Sequence, residues 1–221
     1  DLNISHRPLI AYNGGLILNY SDEQPSQVFS QTIPLEVLER IIAICASGDV
    51  HLSLYHNDEW FVPNMDFWAK REQNNTKVTP EILSPSEVLV RWRSEDKAPH
   101  KVMCMGDSSD VQAIYDKLSS SLSSKIHLYR SKDTYIEMAN KNISKLTALT
   151  YLAKHVYKGI PLADIVAFGD NYNDEVMLQG VGLGVAVENA RDVVKLAANY
   201  ITDSNVNDGV ANFLENLHLI D

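Results

Sequence analysis

The feature that most constrains the fold is a short apolar run, Ile165–Phe168, that ends directly on Gly169 and Asp170 and is followed within one helical turn by Asn173 and Asp174. A buried strand of a parallel sheet reads as a continuous apolar run, and open α/β sheets bind ligands outside the carboxyl ends of their strands. Carboxylates there are costly unless a cation lies between them. The pattern predicts a Mg²⁺ site that handles phosphate, because Mg²⁺ prefers one or two carboxylates plus substrate oxygens.

A structural interpretation of the same residues stays open. Asp170 could be an ordinary loop residue, and Asn173 or Asp174 could simply cap the helix that follows.

In the C-terminal part of the chain, segments with the periodicity of helices alternate with short apolar segments typical of strands. Short joints that contain glycine separate its segments, and this alternation predicts a parallel, doubly wound sheet. The predicted helices are Ser144–Val156, Asn173–Gln179, Arg191–Ala198 and Gly209–Leu217, and the predicted strands are Ile165–Phe168, Gly182–Val187 and Tyr200–Ile201.

The middle of the chain predicts an α+β insert, in which strands pair locally and one or two helices cover them. A hairpin turn is expected at Asn57-Asp58. Within the polar stretch Asn64–Pro99, only Val88–Trp92 resembles a strand. The other predicted strands are Gln27–Gln31, His51–Tyr55, Trp60–Val62, Lys101–Met105, Ile126–Tyr129 and Tyr135–Met138, and the predicted helices are Leu35–Cys45 and Val111–Leu122.

Charge and cysteine content limit the partners and the compartment. The net charge is −10, which disfavours nucleic-acid and anionic-membrane partners, so a phosphate site needs a local lysine or metal. No apolar run approaches the roughly 18 residues that span a bilayer. Cys45 and Cys104 fit no metal-binding spacing, and we interpret them as reduced core thiols of a cytoplasmic protein. The seven histidines form no metal or triad spacing, and we treat them as structural or surface residues.

Lys145 is a second candidate for phosphate chemistry. It lies at the start of the predicted helix Ser144–Val156, where the positive end of the helix dipole disfavours a cation. A phosphate shared between the ammonium group and the helix terminus would explain this position. The alternative is an ordinary solvated lysine.

Several spaced motifs together resemble the haloacid dehalogenase-like hydrolases of the Cof type. They run from Pro8–Gly15 through Tyr135–Met138 and Ile143–Lys145 to the Gly169–Asp174 motif. Two more follow, Gly184–Ala190 and Thr202–Ala211. The resemblance implies a Rossmann-like core, of which the N-terminal part is missing here, with an inserted α+β cap. We expect a core segment and hinge at 1–26, the cap at 27–138 and the C-terminal half of the core at 139–221.

The resemblance also implies roles for five residues. Lys145 would bind phosphate, Asp170 would be the acidic Mg²⁺ ligand, and Asp174 would orient the metal shell, so that Lys145 and Asp174 are the catalytic residues present. Asn173 would contact phosphate, and Asn13 would lie near the cap hinge by the substrate. Leu146 departs from the family, which usually has glycine after the lysine, and we expect an effect on local helix packing.

The family also uses an N-terminal strand that ends in Asp-x-Asp, whose first aspartate is the nucleophile. The 221 residues contain no apolar run followed by Asp-x-Asp, so we expect an earlier segment to supply it. The implied function is Mg²⁺-dependent hydrolysis of small phosphorylated metabolites, such as sugar phosphates, through an aspartyl-phosphate. The alternative is a non-catalytic phosphometabolite-binding protein, or a truncated form, on the same fold. No pattern indicates the oligomeric state.

Overall fold

The computed structural model describes residues 7–20 and 25–217, without the side chain at position 131. The chain forms two compact units, residues 1–143 and 144–221. The finer division at residues 26 and 138 stays a prediction, and parts of its first segment, residues 1–6 and 21–24, lie outside the described residues. No helix in the described part of the chain is long and apolar enough to cross a membrane.

A small antiparallel sheet opens the first unit. Its strands are β1 (Pro8–Ala11), β2 (Leu16–Asn19) and β3 (Ser26–Ser30), in the order β1-β2-β3. A three-residue 3₁₀ turn, Tyr12–Gly14, joins β1 to β2. The predicted strand Gln27–Gln31 is therefore confirmed as β3, and it pairs with β2.

A six-stranded sheet forms most of the first unit, in the order β6-β5-β4-β7-β9-β8. All neighbours are antiparallel except β5 and β6. The strands are β4 (Val50–His56), β5 (Glu59–Val62), β6 (Glu81–Ile82), β7 (Lys101–Gly106), β8 (Ile126–Lys132) and β9 (Tyr135–Asn140). The helices are α1 (Leu35–Cys45), α2 (Phe67–Thr76), α3 (Pro85–Ser94) and α4 (Ser108–Leu122). This arrangement confirms the α+β character and the hairpin between β4 and β5.

Side chains alternate between the two faces of each strand. One face of the six-stranded sheet carries apolar side chains such as Leu52, Leu54, Val102 and Met138, which form one core with buried residues of α1, α3 and α4. The other face carries Tyr55, Trp60, Met103 and Met105, which form a second, smaller cluster with Ala69 of α2.

The predicted strand Val88–Trp92 is wrong, because these residues lie in the middle of α3. Ser84 and Glu87 form a capping box in which each side chain bonds the backbone N–H of the other, and Pro85 occupies the first helical turn. Val88 and Trp92, four residues apart, face the core together. The β-branched and aromatic composition favoured a strand, but the cap and the core contacts decide for a helix.

A hydrogen-bonded row of polar side chains anchors α2 to β4. His51 Nδ1 lies 2.8 Å from Asp66 Oδ2 and His51 Nε2 lies 2.9 Å from Ser53 Oγ. Asp66 also caps α2, since its Oδ1 accepts from the Ala69 N–H. The order Ser–His–Asp is that of a catalytic triad, but Ser53 is completely buried and Trp60 Nε1 also donates to its hydroxyl. We therefore interpret this row as structural, and the expectation for the other histidines stays a prediction.

The second unit has a parallel sheet, in the order β10-β11-β12, with helices between its strands. The strands are β10 (Val166–Gly169), β11 (Leu183–Val187) and β12 (Tyr200–Thr202). The helices are α5 (Lys145–Tyr151), which continues as a π-helical turn over Leu152–Val156, α6 (Glu175–Gly180), α7 (Asp192–Ala197) and α8 (Gly209–Glu215). The predicted alternation is confirmed, although α6 begins two residues later than predicted.

Removal of the Trp92 side chain is expected to destabilise the first unit strongly. Trp92 is fully buried, packs edge-on against Phe61 and donates its indole N–H to Glu59. Trp92→Ala should lower the free energy of unfolding by roughly 3–5 kcal/mol. Val90→Ala on the same helix is the control, because Val90 is 69% exposed and its loss should change stability by no more than about 0.5 kcal/mol. Urea unfolding followed by far-UV circular dichroism measures both, and equal effects would contradict the packing of α3.

The two cysteines should be unreactive in the folded protein. Cys45 and Cys104 are free and buried in the same core cluster. A hydrogen bond with Cys45, and then burial, raise the pKa of the Cys104 thiol, which disfavours the reactive thiolate. Titration with Ellman's reagent should therefore detect two thiols only after denaturation. Rapid release in native buffer would contradict this packing. The cytoplasmic location stays a prediction.

Candidate active site

The carboxyl end of β10 carries the predicted motif, and Gly169 makes its geometry possible. A Cβ atom on Gly169 would lie 2.5 Å from Asp174 Cβ and 2.8 Å from Asp174 Cγ. Any other residue would push the Asp174 side chain out of this position. The glycine is therefore required because an acidic side chain from the following turn packs directly against the end of the strand.

Asp174 closes the turn that follows β10. Its side chain is buried, and its Oδ2 accepts hydrogen bonds of 3.1 Å from the backbone N–H groups of Asp170 and Asn171. The Asp174 N–H donates in return to the Asn171 carbonyl at 2.8 Å. The Asp174 carboxylate thus accepts from backbone N–H groups that precede it in the chain and closes the turn. This closed turn explains why α6 begins only at Glu175.

Lys145 provides the cation that this buried carboxylate needs. Its Nζ lies 2.5 Å from Asp174 Oδ1, and its side chain is 32% exposed, against 3% for Asp174. Lys145 is the first residue of α5, directly after Ser144, whose Oγ accepts from the Thr147 N–H at 3.1 Å. The ammonium group therefore donates one hydrogen bond to Asp174 and keeps further N–H donors on its exposed side.

Leu146, the residue that departs from the family pattern, packs over a glycine of α6. A Cβ atom on Gly180 would lie 2.5 Å from Leu146 Cδ2 and 2.6 Å from Leu146 Cδ1. The leucine thus occupies the space that a side chain at position 180 would fill. The expected effect on helix packing relative to the family stays a prediction.

Asp170 differs from Asp174 in having a carboxylate that is available to a ligand. It is exposed, and within residues 7–20 and 25–217 its side chain has no hydrogen-bond or ion-pair partner. Its backbone is held, since its carbonyl accepts from the Arg191 N–H at 3.0 Å. A fixed backbone with an unengaged carboxylate suits a metal ligand.

Mg²⁺ fits these residues through Asp170 rather than through Asp174. Both oxygens of Asp174 are already engaged, and no group of three or more acidic, histidine or cysteine side chains in the described residues could hold a metal ion. Mg²⁺ usually keeps several waters and takes one or two carboxylates plus phosphate oxygens, so a single carboxylate from this unit is compatible with it.

The remaining predicted residues lie in two places. Asn173 is half-buried in the turn between Asn171 and Asp174, so the structure brings it together with Lys145 and Asp170 in the second unit. Asn13 belongs to the first unit, where its Nδ2 donates to Glu137 Oε1 at 2.6 Å. Glu137 was not among the predicted site residues, although it interrupts the apolar strand Tyr135–Met138 with a charge.

Comparison with known proteins identifies the family. A family model described as haloacid dehalogenase-like hydrolase matches residues 1–214. The chain belongs to the haloacid dehalogenase-like hydrolases. A relative from Haemophilus influenzae is 32% identical over 208 residues, which cover 94% of this chain and 74% of the relative.

Two further proteins are similar to this chain over nearly its whole length. The 5-amino-6-(5-phospho-D-ribitylamino)uracil phosphatase YitU of Bacillus subtilis is 29% identical over 219 residues, which cover 94% of this chain and 75% of YitU. The solved structure of a haloacid dehalogenase-like hydrolase from Bacteroides thetaiotaomicron is 27% identical with a TM-score of 0.81, and the match covers 96% of this chain and 77% of that one. These relatives support a phosphoric monoester hydrolase with an α/β fold.

Neutralising Asp174 is expected to destabilise the second unit. Asp174→Asn removes the charge that pairs with Lys145 and places an amide N–H₂ where acceptors are needed. We expect the free energy of unfolding to fall by about 1.5–3 kcal/mol. Glu188→Gln is the matched control, since Glu188 is exposed in the same unit and should tolerate the change. Thermal unfolding of both variants measures the difference, and an unchanged midpoint for Asp174→Asn would refute the structural role of the carboxylate.

Proposed function

We propose that the protein is a Mg²⁺-dependent phosphatase of small phosphorylated metabolites. The observation that carries this proposal is the partly exposed Lys145 ammonium group, paired with buried Asp174, beside a turn that also presents the unengaged carboxylate of Asp170. Phosphoryl transfer depends mainly on positioning and on neutralising charge, and these three groups supply both.

Each residue has a separate task in this proposal. Lys145 binds phosphoryl oxygens with its free ammonium donors, and Asp174 positions Lys145 through the ion pair of 2.5 Å. The Asn173 amide contacts the phosphoryl group from the same turn. Asp170 would hold Mg²⁺, which supplies additional neutralisation of charge on the phosphoryl oxygens. By the family resemblance, the phosphoryl group would pass from the ester to the first aspartate of an Asp-x-Asp motif and then to water.

The proposed substrate class rests on the name of one relative and on the net charge of the chain. YitU, by its name, acts on a phosphorylated ribityl compound, which is a phosphate ester of a polyol. We propose sugar phosphates or similar esters as substrates, with Asn13 contributing to their binding. The net charge of −10 supports small-molecule substrates rather than nucleic-acid or membrane partners.

A non-catalytic phosphometabolite-binding protein is the second candidate. It would use the same phosphate-binding group, the partly exposed Lys145 ammonium, without turnover. Titration calorimetry with a sugar phosphate, together with a turnover assay on a sample of verified intact mass, separates the two. Binding with no turnover would favour this candidate.

Asp170→Asn in the full-length protein should abolish Mg²⁺-dependent hydrolysis of p-nitrophenyl phosphate. Its carboxylate has no partner within the described part of the chain, so the thermal midpoint should stay unchanged while Mg²⁺ binding, measured by calorimetry, is lost. We expect a decrease in kcat of at least about 100-fold, as for other groups that stabilise transition-state charge.

Asp192→Asn is the control for this change, because Asp192 is an exposed aspartate of the same unit. It should retain both activity and Mg²⁺ binding. Retained hydrolysis by Asp170→Asn at saturating Mg²⁺ would eliminate Asp170 as the metal ligand.

A further inference from the structure

His100 is a fully buried histidine that contacts three other segments of the first unit. It directly precedes β7 in the chain. Its Nε2 lies 2.9 Å from Ser30 Oγ at the end of β3, and its Nδ1 lies 3.2 Å from the backbone nitrogen of Asn57 in the turn between β4 and β5. The Tyr12 ring, in the turn after β1, stacks on the imidazole with the ring centroids 5.4 Å apart. His100 therefore connects the small antiparallel sheet with the six-stranded sheet.

The hydrogen bonds of His100 fix its protonation state. The Asn57 N–H can only donate, so Nδ1 is the unprotonated acceptor. Nε2 then carries the proton and donates to Ser30 Oγ. A protonated imidazolium has an N–H group on both nitrogens, so it would set the Nδ1 N–H against the Asn57 N–H. Protonation therefore breaks one of the two hydrogen bonds that hold the ring.

The rings around His100 disfavour a positive charge on it. His56 of β4 stacks on the imidazole with the ring centroids 4.9 Å apart, so two protonated rings would repel each other. Tyr12 stays neutral, because burial raises its pKa to about 12. Among the described residues, no carboxylate forms a hydrogen bond or an ion pair with His100. Buried His51 differs, since Asp66 Oδ2 lies 2.8 Å from its Nδ1.

The other charged side chains near the ring do not compensate an imidazolium. On the adjoining elements these are Glu36, Asp58, Asp96, Lys97 and Lys101. Lys97 is already paired with Glu59 and Glu95. Lys101 adds a positive charge, 5.9 Å from the centroid of the Tyr12 ring. The three acidic side chains of this set are exposed, so water and salt screen them.

A cavity of about 550 Å³ beside the ring gives water access to the partners of His100. Ser30, His56 and Asn57 line this cavity. The buried imidazole can therefore take up a proton when one of these contacts opens, without unfolding of the whole unit.

The protonation of His100 is linked to the stability of the fold. Burial, and then the neighbouring His56, lower the pKa of His100 to about 4 from its ordinary value of 6.5. A histidine whose folded-state pKa is depressed stabilises the fold through its neutral form. This stabilisation is complete above about pH 6.5 and is lost as the pH falls toward about 4. Between about pH 7.5 and pH 5, the equilibrium constant of unfolding should rise roughly 10–30-fold from this group.

We propose that His100 is an acid-sensitive latch that holds the small antiparallel sheet against the six-stranded sheet. The neutral ring fixes β3 through Ser30 and stacks on the turn Tyr12–Gly14, whose positive φ angles of 53°, 55° and 104° need support from surrounding contacts. The protonated ring loses the Asn57 hydrogen bond and repels a protonated His56. β3 and this turn then separate from β7, while the core beneath α1, α3 and α4 stays folded.

The first test measures urea unfolding at about pH 7.5 and about pH 5. The three tryptophans of this chain, at positions 60, 68 and 92, all belong to the first unit, so their fluorescence follows its unfolding. His100→Gln keeps an N–H donor and an oxygen acceptor but has no group that takes up a proton in this range. On acidification, we expect the unfolding constant to rise roughly 10–30-fold more in the wild type than in His100→Gln. An equal pH dependence in both proteins would overturn the latch.

The second test locates the opening by hydrogen exchange at the same two pH values. On acidification of the wild type, protection factors in β1, β2 and β3 should fall at least about fivefold more than those in β4 and β7, and His100→Gln should not show this difference. His127→Gln is the matched control, because burial also lowers the pKa of His127, whose ring stacks on Tyr129 of β8. It should open as the wild type does. A loss of protection spread evenly over the first unit would contradict a local latch.

An NMR titration of the wild-type imidazole decides the proposal even if His100→Gln does not fold. A His100 pKa well below its ordinary value, with the Asn57 amide signal changing at the same midpoint, supports the latch. A His100 pKa near 6.5, or an Asn57 amide signal that does not follow it, overturns the latch. None of these measurements involves phosphate hydrolysis, so the latch and the proposed function succeed or fail separately.

Discussion

The ion pair between Lys145 and Asp174 is the contact on which the candidate active site depends. One buried carboxylate satisfies two backbone N–H groups at the end of β10 and at the same time fixes the direction of the lysine ammonium group. Gly169 lets the carboxylate approach because it has no side chain. Asp174 is therefore a structural carboxylate, and Asp170, which the family resemblance already implies as the metal ligand, is the exposed carboxylate available to a ligand.

Local patterns were sufficient to predict the parallel sheet of the second unit, because an apolar run followed by glycine and aspartate already specifies a buried strand and its ligand-binding end. They failed at Val88–Trp92, where composition favoured a strand. The capping box of Ser84 and Glu87 would have corrected this, since it marks the start of a helix regardless of the residues that follow.

The grouping of Tyr55, Lys101 and Glu137 on one face of the six-stranded sheet could not be predicted from the sequence, for a different reason. Tyr55, Lys101 and Glu137 are distant in the chain, and only the register of β4, β7 and β9 brings them to one face. That register is fixed by the opposite face, where apolar side chains such as Leu54 and Val102 pack beneath the helices. A shift of one residue would exchange the two faces, so the apolar core indirectly determines which polar groups meet.

The contact of Leu146 with Gly180 makes two distant positions of the chain interdependent. A side chain at position 180 would displace Leu146, and Lys145, its immediate neighbour, would be displaced with it. Among variants that keep the lysine in place, a larger residue at 180 should be found together with a smaller residue at 146. The position of the ammonium group therefore depends on Gly180, a residue at the end of α6 that is not one of the candidate site residues.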